Sequence, residues 1–110
     1  MGYELAKQLK DAGFPQKGDY GFRPLVYEGT AQIVNYHRDV PLEHDVYIPT
    51  LSELIEACGK QFARLVHPVV TKPAWRAEEH YFSQNKLAIG EGSSPEEAVV
   101  KLWLALHIGA

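Results

Sequence analysis

The last quarter of the chain constrains the fold most, because a short apolar strand, a glycine turn and a helix start follow one another without a break. Residues 86–107 read KLAIGEGSSPEEAVVKLWLALH. Ser94 as N-cap, Pro95 as the first helical residue and Glu97 as the third are favoured residue types at those places. The helix is predicted to bury an apolar stripe made of Val99, Leu102, Trp103 and Leu106. This stretch predicts a strand, a turn and a helix that anchor the fold.

Two earlier helices are predicted from apolar periodicity and from their end signals. The first covers residues 3–12, and Gly13 followed by Pro15 ends it. The second begins after Thr50, which with Glu53 makes a capping box, and Gly59 ends it. Its buried stripe is predicted to contain Leu51, Leu54, Ile55 and Cys58.

A β-hairpin is predicted in the first half of the chain. Residues 25–28 and 31–36 read as strands, and Gly29 with Thr30 is predicted to form a two-residue type II′ turn between them. We expect residues 16–23 to form a loop and residues 37–45 an exposed connection. Residues 46–48 are expected to form a short strand. The sequence leaves open whether the hairpin joins the main sheet.

Three strands are predicted in the second half, at residues 62–67, 74–82 and 86–90. Together with the flanking helices they give the order α-β-β-β-α. A small antiparallel sheet needs one face covered, which two amphipathic helices can do. We therefore expect an α+β fold in which a small antiparallel sheet packs against two to three helices. The length of 110 residues predicts a single domain covering residues 1–110.

Composition limits the compartments in which the chain is expected and the classes of partner that it is expected to bind. The formal net charge of -3 and the lack of any lysine or arginine run argue against nucleic-acid binding. Cys58 is the only cysteine, which excludes an intramolecular disulfide. No apolar run approaches the roughly 18 residues that span a bilayer, and the N-terminus lacks the apolar segment of a secretory signal. We expect a cytoplasmic protein without membrane contact, either a monomer or a small homo-oligomer.

The sequence supports no catalytic, cofactor or metal assignment. Five histidines, at positions 37, 44, 67, 80 and 107, have no metal-binding spacing. Cys58 lies in the last turn of a helix, where the dipole disfavours a thiolate, so core packing is expected. Glu78 and Glu79 are neighbours on a predicted strand and point to opposite faces. The turn at residues 90–92 precedes a helix start, but Glu91, Glu96 and Glu97 place three carboxylates there, which repel phosphate.

Aromatic residues offer the remaining functional signal. Several lie in strands or loops, where core and hairpin packing is the competing explanation. A patch exposed at the surface would instead bind a partner protein, because aromatic residues concentrate in interface cores. The candidate partner-binding residues are Trp75, Tyr81, Tyr27 and Tyr36.

Three segments resemble a group of small, uncharacterised bacterial and prophage-type proteins. They are YELAKQLKDAGFP at residues 3–15, YIPTLSELIEACG at residues 47–59 and GEGSSPEEAVVKLWLAL at residues 90–106. Together they cover about 40% of the chain. The resemblance implies a phage or prophage accessory context, and it transfers no activity to this chain.

A second resemblance is architectural. The order α-β-β-β-α and the G-x-G-S turn before the last helix are similar to the double-stranded RNA-binding domain and to antitoxin-type domains. The RNA-binding family carries lysines at the start of that helix. Here Pro95, Glu96 and Glu97 occupy the matching positions, so the charge is reversed.

Three functional hypotheses follow. The leading one is a non-catalytic phage or prophage accessory module that binds another macromolecule, a protein in the first instance. The first alternative is a nucleic-acid-binding domain with a double-stranded RNA-binding-like fold. The second alternative is an enzyme whose site is assembled from distant residues, with His67, His80 and Glu79 as its first candidates.

Overall fold

A computed structural model describes residues 1–16, 20–37, 44–67, 74–79 and 88–108. These residues form three α-helices, a short 3-10 helix and six strands, which confirms the predicted α+β class. The strands form two antiparallel sheets of three strands each rather than one. Contacts group the chain into two compact units, residues 2–49 and residues 50–110 with Met1. The expectation of a single domain stays a prediction.

The first unit consists of one helix and one sheet. Its elements are α1 (Tyr3–Asp11), β1 (Tyr20–Tyr27), β2 (Thr30–His37) and β3 (Val46–Tyr47). The strand order is β2-β1-β3, so β2 lies at an edge and β1 in the middle. Helix α1 packs against β3.

Helix α1 ends as its sequence predicts. Gly13 adopts a φ of 96°, and the amide of Phe14 donates to the carbonyl of Leu9 at 2.9 Å. The amide of Gly13 donates to the carbonyl of Lys10 at 3.0 Å. These two bonds make a Schellman motif, in which Leu9 and Phe14 supply the apolar contact. Both side chains are buried.

The predicted hairpin is present, but its turn and its length differ from the prediction. The two turn residues are Glu28 and Gly29, with φ of 50° and 78°, and Tyr27 pairs with Thr30. Positive φ at both central residues defines a type I′ turn rather than type II′. Each strand is eight residues long, which is longer than the predicted runs.

Two predicted connections are also corrected. Residues 20–23 belong to β1 rather than to a loop, because Phe22 is paired on both sides, with Asn35 and with Val46. Asp45 was expected in an exposed connection but is 4% exposed. An ion pair with Arg23 explains this burial. Residues 17–19 and 38–43 of these two segments lie outside the described part of the chain.

The second unit has the predicted order α-β-β-β-α. Its elements are α2 (Leu51–Cys58), a 3-10 helix (Gly59–Gln61), β4 (Phe62–Val66), β5 (Trp75–Glu79), β6 (Ile89–Gly92) and α3 (Pro95–Ile108). The strands follow one another in space as β4-β5-β6. The hairpin belongs to the other sheet, which answers the question that the sequence left open.

Both helix starts of this unit follow their sequence signals. Thr50 Oγ1 accepts from the amide of Glu53 at 3.2 Å, and Glu53 Oε1 accepts from the amide of Thr50 at 3.0 Å. This reciprocal pair is the predicted capping box. At α3, Ser94 Oγ accepts from the amide of Glu97 at 3.1 Å, as an N-cap does.

Helix α3 provides most of the core of this unit. It packs on β5, on β6 and on α2. The predicted stripe is confirmed for Val99, Leu102 and Trp103, all buried, while Leu106 is half-buried. Gly90 lies directly under the helix, because an added Cβ would collide with the carbonyl of Ala98. This close approach explains why β6 carries glycine there.

Candidate interaction surface

Large apolar side chains that remain exposed are concentrated in the hairpin. Among the described residues five are exposed, and four of them lie in β1 or β2. Val26 is the most exposed at 78%, followed by Ile33 at 46% and Leu25 at 44%. Tyr20 is the fourth, and Val66 in β4 is the fifth. Single exposed apolar residues are common on soluble proteins, whereas a cluster marks an interaction site.

The register of the hairpin places four of its residues on one face. Val26 pairs with Ala31, and Pro24 pairs with Ile33. Directly opposed residues of an antiparallel pair share a face, and so do residues two apart on one strand. We call Pro24, Val26, Ala31 and Ile33 the apolar hairpin face. It carries no charged side chain, and three of its four residues are exposed.

The predicted aromatic candidates occupy different environments. Tyr36 is 4% exposed, and the guanidinium of Arg23 lies 5.1 Å from its ring centre. Packing accounts for this ring. Trp75 is half-buried in β5, and its ring meets that of His67 edge-on at 4.7 Å. Tyr27 is the last residue of β1 beside the turn, and Tyr81 lies outside the described residues. Trp75 thus belongs to a different sheet from Tyr27 and Tyr36.

A buried ion pair holds the other end of the hairpin. Arg23 Nε and Nη2 each donate to one carboxylate oxygen of Asp45 at 2.9 Å. Lys10 Nζ donates to the backbone oxygen of Asp45 at 2.8 Å. A bidentate pair of this kind fixes geometry, and here it ties β1 to the residue before β3. The pair is hydrogen-bonded within the fold, and its role is therefore structural.

A second group of charges lies on the sheet of the second unit. Ala77 and Gly90 pair with each other and face α3, so Glu78 points to the opposite face. Glu78 forms an ion pair with Arg64 on the neighbouring strand and another with Arg76 at 2.9 Å. Two cations around one carboxylate compensate for the burial of Glu78, which is 8% exposed.

Two of the three candidates for a dispersed enzyme site, Glu79 and His67, lie at opposite ends of the β4–β5 pair. Glu79 Oε1 accepts from the amide of Ala88 at 2.7 Å, which uses the carboxylate to hold β5 to the start of β6. His67 is exposed beside Trp75, and His80 lies outside the described residues. We assign no reaction to them.

Cys58 is a core residue. It is 4% exposed at the end of α2, and burial raises the pKa of its thiol from 9.0 to about 11. A thiol with a raised pKa is a poor nucleophile at neutral pH, because the thiolate is the reactive form. The structure therefore supports the packing role that its position in the helix predicts.

The start of α3 is acidic and internally bonded. Glu97 accepts from Ser93 Oγ at 3.1 Å and forms an ion pair with Lys101 at 3.1 Å. The hydrogen bond from Lys101 lowers the pKa of Glu97, which keeps the carboxylate charged. With Glu96 beside it, this helix start presents negative charge.

Comparison with known proteins adds no family. The chain matches no protein-family description, no curated protein and no solved structure. Within the described residues no helix is long and apolar enough to cross a membrane. In the same part of the chain, no three His, Cys, Asp or Glu side chains are grouped as a metal site would require.

The apolar hairpin face is not among the predicted candidates, because its members are aliphatic residues and proline whereas the candidates are aromatic. A usable signal was present. Residues 31–36 alternate without a clearly apolar side, and the side that carries Ala31, Ile33 and Asn35 is exposed in the structure. The ion pair of Arg23 with Asp45 gave no such signal, because the two residues are 22 positions apart.

Proposed function

We propose that the chain is a non-catalytic accessory module of phage or prophage type that binds another protein through the apolar hairpin face. The observation that carries this proposal is the exposure of Val26, at 78%, next to that of Ile33, at 46%. Water contact with such side chains is unfavourable by about 25 cal/mol per Å², and a partner would remove it.

The chemistry of the face indicates what kind of partner fits. It offers aliphatic surface without charge, so the complementary surface should be apolar as well. Association driven by apolar burial depends weakly on salt, in contrast to binding through charges. The partner is therefore expected to stay bound as the salt concentration is raised.

A capture experiment with matched variants tests this proposal. The tagged chain, Val26→Lys and Val66→Lys are each incubated with bacterial lysate at low and high salt, and bound proteins are quantified by mass spectrometry. Val66 is an exposed valine outside the hairpin, so its variant controls for an added lysine. We expect the same protein to be recovered by the wild type and by Val66→Lys at both salt levels, and to be lost with Val26→Lys. Equal recovery by all three would reject the apolar hairpin face as the binding site.

Nucleic-acid binding is a second candidate because of one observation, the order α2-β4-β5-β6-α3. This order is similar to that of the double-stranded RNA-binding domain. Fold similarity alone does not carry function, and the acidic start of α3 opposes it. The protein-binding proposal has the stronger support because it rests on an exposed surface of this chain.

A further inference from the structure

Within the described residues, no strand pairs with the outer edge of β2. β2 is the last strand of its sheet, and its outward backbone groups belong to alternate residues. The pair Tyr27–Thr30 closes a two-residue turn, which makes it a hydrogen-bonded pair. Every second pair after it is bonded in the same way. The groups that face away from β1 therefore belong to Ala31, Ile33, Asn35 and His37.

Two independent observations support this assignment. Pro24 has no amide hydrogen and pairs with Ile33, a place where no bond to β2 is required. The carbonyl of Tyr20 accepts from the amide of Ile48 at 3.0 Å on the opposite edge of β1. The backbone N–H and C=O groups of even-numbered residues of β1 thus point to β3. Those of odd-numbered residues of β2 therefore point outward, away from β1. We call Ala31, Ile33, Asn35 and His37 the open edge.

Strand β2 lacks the features that prevent an edge strand from pairing with another chain. Natural edges are protected by lysines, prolines, bulges or shortness. The sequence TAQIVNYH contains no lysine, acidic residue or proline, and its register with β1 is continuous over eight residues. All four open-edge residues have exposed side chains. A long, uncharged and regular edge of this kind favours strand addition.

We propose that β2 pairs antiparallel with β2 of a second copy of this chain, so that two three-stranded sheets become one six-stranded sheet. In the register centred on Val34, Ile33 opposes Asn35 of the second copy and Ala31 opposes His37 of the second copy. This register uses every outward group of both strands. A two-fold axis repeats each pair, which is the geometry of a closed dimer.

The second copy fits this edge for reasons of length and charge. In this register residues 31–37 of one strand oppose residues 37–31 of the other, so seven of the eight residues of each strand are paired. No lysine, arginine or acidic residue of one strand faces its counterpart, so the pairing brings no formal like charges together. An axis perpendicular to the sheet also places both apolar hairpin faces on the same side. The proposal is independent of the proposed function, because it concerns the purified chain alone.

Sedimentation of purified chain variants tests the dimer. The expected result is a wild-type mass twice the 12.3 kDa of one chain. Ile33→Lys places a lysine at the open edge and is expected to weaken association by at least about tenfold. Val26→Lys adds the same charge to the same face on β1, away from the edge, and should remain a dimer. Circular dichroism checks that both variants keep the fold.

Two further measurements address the register. Adding Asn35→Asp to Ile33→Lys places opposite charges across the interface and should restore association. In the wild type, amide exchange at Ala31, Ile33 and Asn35 should slow as concentration rises, while Gln32 and Val34, bonded to β1 in either state, should not change. A wild type that stays monomeric at all concentrations would overturn the proposal. So would a dimer that Val26→Lys disrupts and Ile33→Lys does not.

Discussion

Glu28 holds a backbone conformation that its own side chain disfavours. Its φ of 50° lies in the left-handed region, which costs a residue with a Cβ roughly 1 kcal/mol. Its neighbour Gly29, at 78°, pays no such steric cost. Only the second of the two turn residues is therefore of the preferred type, since a type I′ turn favours the pair Asn-Gly.

Replacing Glu28 should stabilise the hairpin. Asparagine tolerates the left-handed region better, so Glu28→Asn is expected to raise the free energy of unfolding by about 0.5–1 kcal/mol. The measurement is the denaturant midpoint, with Thr30→Asn as a control just outside the turn. A lower midpoint for Glu28→Asn would mean that the turn is not type I′.

Cys58 should make stability depend on alkaline pH. The neutral thiol is favoured in the folded chain, where its pKa is about 11, against 9.0 for the ordinary group. Its contribution is complete below pH 9 and is lost as pH rises towards 11, because the unfolded chain releases the proton first. Between about pH 8 and pH 10 the wild type should lose about 1 kcal/mol more than Cys58→Ala. Denaturant unfolding at both pH values measures this, and equal losses would contradict it.

At the scale of the element, α3 determines the packing of the second unit. Val99 and Leu102 are fully buried, whereas Leu104 on the same helix is half-buried. The acidic first turn and Lys101 four residues after Glu97 support the helix start locally. Tertiary burial of one side of the helix supplies the larger part of its stability.

Truncation within α3 should show this difference. Leu102→Ala removes a fully buried side chain and is expected to cost about 2–5 kcal/mol. Leu104→Ala, on the same helix, should cost clearly less. Thermal and denaturant midpoints measure both variants. Similar losses for the two would show that the buried side of the helix is assigned incorrectly.

Helix α3 also depends on the glycine beneath it. An added Cβ at Gly90 would collide with the backbone of Ala98 and Leu102, neither of which can move by side-chain rotation. Gly90→Ala is therefore expected to cost about 1–3 kcal/mol or more. Gly2→Ala is the control, because nothing lies within 4 Å of its added Cβ. Denaturant unfolding measures the stability of both variants. An unchanged free energy of unfolding for Gly90→Ala would contradict the close packing of strand and helix.

At the scale of the molecule, the sign and the position of charge favour protein binding over nucleic-acid binding. The net charge is -3, and the helix start that would meet phosphate carries Glu96 and Glu97. Duplex RNA binding requires cations that displace counterions, and its affinity falls steeply with salt. The chain provides the opposite sign at that position.

We expect no shift of a short RNA duplex in a gel at about 50 mM salt with the wild-type chain. Glu96→Lys reverses one charge at the helix start and should shift the equilibrium towards binding if the fold similarity extends to the RNA site. A salt-dependent shift with the wild type would favour the nucleic-acid alternative over the protein-binding proposal.

Local interactions in this chain were predictable from the sequence alone. The Schellman end of α1, the capping box at Thr50 and the cap at Ser94 follow the sequence patterns. In each case the interacting residues lie within one or two helical turns. Their energies therefore depend little on the rest of the fold.

The tertiary structure decided what depends on distant pairing. It separated the strands into two sheets, buried Asp45 against Arg23, and left Val26 and the outer edge of β2 exposed. Local patterns do not encode the strand order or the burial of Asp45, because both arise from contacts between residues far apart in sequence. Residues 88–107 thus anchor the second unit, while the surface proposed to bind a partner lies in the hairpin of the first.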